Sequence, residues 1–303
     1  MLLSARNRNL LILHFTVLIW GFTGVLGGLI SVSALHLVWY RVLLAALALL
    51  VYFQITNKSI IASQREIFKF MGVGVIVGLH WVLFFHSIKI STVSVTLVTL
   101  SSVTLFTAVL EPIINRSKIS VTDVLIGLVI IFGIYLIFKF EFQYLWGIIF
   151  GLLCAFCASI FSILNARMVK HSSPTIITFY EMIGAFFGVS VIMLFKGEFT
   201  DEMILSNSDW AYLILLGVVC TAVAYVLGVA VMKELSAFTV ALTTNMEPVY
   251  GIILAVLIFG KKEEMSTGFY VGALVVLSAV FIYPYIKTKI ENRQKQLVNR
   301  KLH

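Results

Sequence analysis

The sequence predicts an all-α integral membrane protein: ten transmembrane helices, arranged as two inverted five-helix repeats around a central cavity. Three observations carry this: the composition, the length of the apolar runs, and a self-similarity at an offset of 145 residues. Hydrophobic residues make up 60% of the 303 and charged residues 12%, and the mean hydropathy is +1.04. A soluble domain carries about 25% charged residues. In lipid the backbone has no water to bond, so only helices and closed barrels can span. The apolar runs here are long and continuous, with no ten-residue alternation, and that excludes a barrel.

Taken in order, the first span is residues 9–30, preceded by Arg6 and Arg8. Its apolar stretch of about 22 residues exceeds the 7–15-residue core of a secretory signal, so it is read as a retained helix. Residues 33–53 follow after a connection so short that the first two spans form an antiparallel hairpin. Spans at 68–87, 91–114 and 121–138 complete a first repeat, assigned to residues 1–140. Spans at 145–168, 174–195, 210–232, 236–259 and 267–286 make a second repeat over 141–290, and 291–303 form a basic tail.

With the N-terminus inside, sixteen of the 22 Lys and Arg fall on inner segments and five on outer ones; Arg41 lies within a span. Basic residues gather on cytoplasmic loops. The expected topology is therefore a multi-pass protein of the cell (inner) membrane with both termini cytoplasmic. The net charge of +8 then reports topology and contact with anionic lipid, not a nucleic-acid partner.

The offset of 145 lays Ile88-Lys89-Ile90-Ser91 on Lys233-Glu234-Leu235-Ser236. It also pairs Gly72 with Gly217, Val95 with Val240, Leu97 with Leu242, Thr99 with Thr244, and Gly127 with Gly272. An offset of 140 pairs Trp39-Tyr40-Arg41 with Phe179-Tyr180-Glu181, the difference falling in the loop after span seven. Five spans per unit is an odd number, so the second unit is inverted. Inverted repeats are characteristic of secondary transporters, whose substrate site lies near the midplane between the halves.

Further residues carry a resemblance. These are Leu18-Ile19-Trp20-Gly21-Phe22-Thr23, Arg41 in Trp39-Tyr40-Arg41-Val42-Leu43-Leu44-Ala45-Ala46, and Leu242-Thr243-Thr244-Asn245-Met246-Glu247-Pro248-Val249-Tyr250, then Gly260 through Gly272. Along nearly its whole length the chain resembles the drug/metabolite transporter superfamily, in its EamA-like branch. The resemblance implies a ten-helix bundle with a central cavity, and transport of amino acids or other metabolites, usually outward. Two positions depart from the family pattern. Val103 stands where a proline is common, and Lys118 where an acidic residue often begins the fifth helix.

Ionisable residues within a span cost about 2.5–3.5 kcal/mol each, so each needs a function or a partner. Arg41 offers a planar fork to a substrate carboxylate or phosphate, or else a buried tie to a helix-end carbonyl or an acidic side chain. Glu247 lies mid-span before Pro248, which removes a backbone donor and predicts a kink. Ser236, Thr239, Thr243, Glu247 and Tyr250 form a polar stripe at helical spacing. Such a stripe faces protein or water. Span four carries a similar stripe, Thr92, Thr96, Thr99 and Ser102, whose last member is the repeat mate of Glu247. Glu111, at the end of that span, is expected to be a solvated interfacial carboxylate. His80 and its mate Tyr225 sit at symmetric depths, and Trp20, Trp81 and Tyr40 are aromatic candidates for stacking on a solute. Glu181 and Asn165 are further buried polar candidates. Gly24/Gly28, Gly74/Gly78, Gly147/Gly151 and Gly184/Gly188 are small-xxx-small pairs that permit close helix approach.

Cys154-x-x-Cys157 lies inside a span, a context that speaks against redox or metal chemistry. The chain carries no nucleotide-binding G-x-x-x-x-G-K-[ST] motif and no nucleophile and base pair. No enzyme activity, cofactor or metal is expected. The expected function is an alternating-access secondary transporter of small organic metabolites, amino-acid-like and exported. Its substrate would be bound by Arg41, Glu247, His80, Trp20, Thr99, Ser102, Thr243, Tyr225, Tyr250 and Tyr40, with Glu247 the candidate for proton coupling. The alternative is a flippase for a lipid or lipid-linked precursor. Partners are a small-molecule substrate and membrane lipid, with no nucleic acid, and the chain acts as a monomer or homodimer.

Overall fold

A computed structural model describes the backbone of residues 5–117 and 121–301, and their side chains except at 5, 121, 123, 124, 280, 283, 284, 287, 288 and 290–301. Lys118 lies outside the described residues. The ten expected spans are present. Seven are single helices: α1 (Ala5–Leu29), α2 (Ala34–Thr56), α3 (Gln64–Ile90), α6 (Val121–Phe140), α7 (Leu145–Met168), α8 (Pro174–Lys196) and α13 (Thr267–Lys301). The fourth is divided into α4 (Val93–Leu100) and α5 (Val103–Asn115), and the ninth into α11 (Ala237–Thr244) and α12 (Met246–Phe259). The eighth consists of α9 (Asn207–Ile214) and α10 (Ala224–Val231) joined by a π-helical segment, Leu215–Val223.

Short polar residues start these helices by accepting the orphan N–H groups of the first turn. Ser33, Thr92 and Ser236 cap α2, α4 and α11, while Ser63 with Glu66 and Ser206 with Asp209 form reciprocal capping boxes. Pro174 opens α8 where its missing N–H costs nothing, and Gly197 ends that helix at φ 68°.

The interruptions fall at equivalent places in the two repeats: offset by 145, Leu100 corresponds to Asn245 and Ser101 to Met246. In the ninth span Pro248 has no N–H for the carbonyl one turn back, and the helix breaks at Asn245. In the fourth span Val103 offers no such reason, yet the break is there. Hydroxyls supply it: Ser102 Oγ donates to the Thr99 carbonyl at 2.7 Å, and Thr99 Oγ1 to the Val95 and Thr96 carbonyls at 2.9 Å. Side chains that bond their own helix carbonyls in this way bend helices.

The packing follows the inverted symmetry. Contact of α1 with α12 is matched by α7 with α4 and α5, and α3 with α8 by α2 with the π segment. Likewise α3 with α7 is matched by α1 with α10, while α6 packs on α13. One large core runs through spans one to four and six to nine, and a smaller one, built from Val95, Val98, Ile130, Ile137, Phe269 and Val276, joins the α6–α13 pair to it. The outer surface is apolar, with Phe195, Leu257, Leu194 and Phe68 exposed, as a lipid-facing surface requires.

With lipid on the outside, helices associate by close approach of small residues. All four predicted glycine pairs serve this. A Cβ on Gly74 would lie 2.1 Å from the Glu181 carbonyl oxygen, and one on Gly184 2.1 Å from that of Met71, so α3 and α8 meet backbone to backbone. A Cβ on Gly151 would lie 2.1 Å from Thr99 Oγ1, and Cβ atoms on Gly147, Gly24, Gly28, Gly78 and Gly188 would also be closely met. Gly72, on the same helix as Gly74, has nothing within 4 Å. Gly74→Ala and Gly184→Ala are therefore each expected to destabilise by about 1–3 kcal/mol through overpacking, with a lower melting temperature in detergent. Gly72→Ala should melt at or above the wild-type temperature; equal melting of all three variants would disprove the seam.

Candidate functional site

A cavity of about 100 Å³ lies between the two halves. Trp20 and Thr23 of α1, Arg41 of α2, and His80, Trp81 and Phe84 of α3 line one side of it. Asn165 of α7, Tyr225 of α10, and Thr244 and Glu247 at the ninth-span break line the other. It runs from the level of Arg41 and Phe84 toward the end of the bundle where α1 begins, reaching Met232 and Val240.

Arg41 is 1% exposed. Its Nε donates to Thr221 Oγ1 at 2.6 Å, and the guanidinium carbon stands 4.0 Å from the centre of the Trp81 ring. Thr221 in turn donates to the Leu216 carbonyl five residues back, at 2.6 Å. That bond lies inside the π-helical segment, and Gly217 lets α2 close on it, since a Cβ there would meet Leu44 Cβ at 2.8 Å. The predicted tie to a helix-end carbonyl or acidic side chain is thus replaced by a hydroxyl and an indole face. Nη1 is buried without a hydrogen-bond partner. One edge of the guanidinium is fixed by the fold, and Nη1 on the other has no protein acceptor.

Glu247 opens α12 as a buried carboxyl. Arg41 and Glu247 act on each other electrostatically, but among the described residues no ion pair joins them. The cavity wall therefore carries a cation and a carboxyl held apart, with aromatic surface beside them. Trp81 packs edge-on against Tyr225 at 5.8 Å, and Phe161 against His80 at 5.2 Å. His80 Nδ1 is 2.9 Å from the Cys154 carbonyl oxygen. Among the described residues no group of three or more His, Cys, Asp or Glu is placed to hold a metal, and Cys154 and Cys157 are free and buried.

Of the ten residues named from sequence, Arg41, Glu247, His80, Trp20 and Tyr225 line the cavity. The other five lie off its wall. Thr99 and Ser102 turn their hydroxyls onto their own helix carbonyls. Thr243 does the same to Thr239, and Tyr250 packs against Gly21. Tyr40 donates to the Met203 carbonyl at 3.2 Å, outside the cavity. The stripe along the ninth span shifts because the break at Asn245 changes its phase, and Val240, Ala241 and Thr244 take the wall in place of Thr239 and Thr243. Thr23, Ser162 and Thr244 are polar wall residues that helical spacing alone passes over. Of the residues weighed less in the sequence, Trp81 and Asn165 join the wall.

Both ends of the bundle are tied. At the far end Glu263 accepts from Val93 N at 3.0 Å, Ser94 N at 2.9 Å and Ser94 Oγ at 2.6 Å. Asp209 there accepts from the amide and hydroxyl of Ser31 at 2.7 and 2.6 Å, and Lys89 donates to the Ile30 carbonyl. At the α1-start end Glu111 Oε2 accepts from Phe238 N at 3.1 Å, and Glu66 from Ser172 Oγ at 2.8 Å. Glu111 is therefore no free interfacial carboxylate. Phe238 is the repeat mate of Val93, so Glu111 does for α11 what Glu263 does for α4. The position matching Glu263 by offset is Lys118.

A model of the EamA-like transporter family matches the chain twice, over residues 8–139 and 145–283. The chain belongs to this family. It is 22% identical to the uncharacterized transporter YxxF of Bacillus subtilis, over 96% of this chain and 93% of that one. An uncharacterized transporter of Clostridium kluyveri is 26% identical over 62% of this chain, and GDP-fucose transporter 1 of Dictyostelium discoideum 28% identical over 59%. These matches span 60% and 50% of the two relatives' own lengths. A crystal structure at 13% identity superposes on 92% of this chain and 98% of its own with a TM-score of 0.67, a likeness of fold.

The cavity can be tested without knowing its ligand. In a background with Cys154, Cys157 and Cys220 replaced by alanine, Thr244→Cys and Ser162→Cys are expected to react with a small maleimide. Thr99→Cys and Ser102→Cys are expected to stay unlabelled. Equal labelling of all four would remove the cavity wall described here.

Proposed function

We propose that this chain is an alternating-access secondary transporter that exports small amino-acid-like metabolites. The observation that carries the reading is the separated pair on the cavity wall, with Arg41 Nη1 free on one side and Glu247 on the other. A zwitterion would complete it, its carboxylate on the arginine and its ammonium on the glutamate, with Trp20, Trp81 and Tyr225 against its apolar part. Buried arginines suit planar anions. A cavity of about 100 Å³ is well under the about 300–1,000 Å³ of sites for drug-sized ligands, which favours a small solute. The relative named as a GDP-fucose transporter supports a second reading, in which Arg41 meets a phosphate and the cavity widens around a nucleotide sugar. The lipid-flippase alternative gains no support from a cavity set between the halves.

In this reading the two repeats are residues 1–140 and 141–290, and 291–303 form a cytoplasmic basic tail. The protein sits in the cell membrane with both termini cytoplasmic and works as a monomer or homodimer without a cofactor. Leu205→Cys, in the connection between α8 and α9, should then label from outside intact cells. Labelling only after the membrane is opened would reverse the topology.

Thermal-shift screening of the purified protein against amino acids, nucleotide sugars, polyamines and organic acids identifies the ligand, since specific binding stabilises by mass action. Counterflow in proteoliposomes then tests transport. Glu247→Gln keeps size and polarity, so it should fold while losing at least about tenfold in counterflow, a cost of about 1.4 kcal/mol. If Glu247 also exchanges a proton, the pH dependence of the wild type should be flattened in the mutant. Equal rates and equal pH profiles would leave Glu247 a packing residue, and stabilisation by nucleotide sugars alone would select the second reading.

A further inference from the structure

Glu181 lies on α8 in the bundle interior, fully buried and off the cavity wall. Its backbone presses on Gly74 of α3. Asn165 of α7 turns its Nδ2 toward Glu181 Oε2 at 3.4 Å and donates from the same nitrogen to Tyr225 Oη at 3.0 Å. The Tyr225 hydroxyl, from α10, also faces the carboxylate. Two oxygens of this cluster, Glu181 Oε1 and Asn165 Oδ1, are buried with no hydrogen-bond partner. Both are acceptors, so the cluster is short of a donor.

No cation supplies one. Among the described residues no ion pair involves Glu181. Arg41, on α2, is bonded to Thr221 and acts on Cys220 and Glu247. The groups that face Glu181 are Tyr225 from α10 and Asn165 from α7, while α3 presents backbone at Gly74. A buried carboxylate without a cation and with one oxygen unmet is a costly state, and a single bound proton relieves it. By the 140-residue offset Glu181 occupies the place of Arg41 in the other repeat, so the two halves put opposite charges at mated positions.

We propose that Glu181 is a proton-binding site and that Asn165 transmits its state to the cavity. The step is a simple protonation: the carboxylate takes one proton from a hydronium ion, whose O–H bond breaks to leave water, and becomes the acid. With Glu181 ionised, the Asn165 amide gives its N–H groups to Glu181 and Tyr225 and leaves Oδ1 unmet. With Glu181 protonated, the amide turns over, and Oδ1 accepts from the acid hydroxyl and from Tyr225. The amide group left over is then a donor where it had been an acceptor. Asn165 lines the cavity, so the proton changes what the cavity offers a solute. The coupling half of this proposal rests on the transport reading above; the proton site does not.

Infrared spectroscopy of the purified full-length chain, titrated across the neutral range, tests the site directly by the protonated-carboxyl band. The wild type should show a pH-dependent band that Glu181→Gln abolishes and Glu247→Gln retains. Tyr225→Phe should keep the band but move its midpoint. A band that survives Glu181→Gln, no such band in the wild type, or a band displaced by sodium at constant pH would each overturn the assignment. Should Glu181→Gln fail to fold, Tyr225→Phe decides: an unmoved midpoint overturns it. In proteoliposomes, the ratio of pH-gradient-driven flux to counterflow reads the coupling. Linkage between two sites is typically about 5–150-fold, and the ratio should fall to one in Glu181→Gln. An unchanged ratio overturns the coupling, whereas wild type without counterflow of any solute overturns the transport reading and leaves the infrared result standing.

Discussion

The constraint on which this structure depends is that a backbone inside lipid cannot leave its polar groups unmet. Wherever a helix of this bundle is interrupted, a side chain is found at the break. Ser102 and Thr99 bond the carbonyls around the fourth-span break, Asn245 donates to the Ala241 carbonyl at the ninth, and Thr221 holds the π turn of the eighth. The helix starts at the bundle ends are met by Glu263 and Glu111. Because breaks are permitted only where such partners stand, they concentrate around one volume, and the cavity lies there. Arg41 is held by the same device, since its anchor is the hydroxyl that bonds the Leu216 carbonyl within the π-helical segment.

Much of the fold was legible in the sequence because each span must be long, apolar and nearly uncharged. The repeat was legible because inversion imposes an odd helix count and a constant offset. The glycine pairs were readable for the same reason, as lipid leaves close approach the main way to join helices. Arg41 and Glu247 announced themselves by cost, and both reach the cavity. The hydroxyl residues did not sort themselves. A threonine in a membrane helix can bond its own helix or face a cavity, and Thr99, Thr243 and Thr244 look alike until the break at Asn245 sets the phase. Nor did the sequence distinguish Tyr40, which bonds a loop carbonyl, from Tyr225, which lines the wall. The break without proline at Val103 was hidden because its cause is a run of serine and threonine, each unremarkable alone.

The two repeats share a plan and differ in charge. Arg41 and Glu181 hold mated places, one stacked on an indole and one beside a tyrosine and an amide. The symmetry thus builds two polar centres from one scaffold, and divergence gives them opposite donors and acceptors. A duplicated bundle can in this way assign separate tasks to equivalent positions while its helix packing stays matched.

The carboxylate caps carry a consequence for energetics. Glu263 accepts from Val93 N, Ser94 N and Ser94 Oγ at the far end, and Glu111 accepts from Phe238 N at the other. Were the molecule to alternate between two openings, these caps would be weights on either side of a balance. A solute approaching from the closed side would then bind with an affinity reduced by the small fraction of molecules open to it. The direction in which such a carrier is easily loaded would be written in how many hydrogen bonds each cap must surrender.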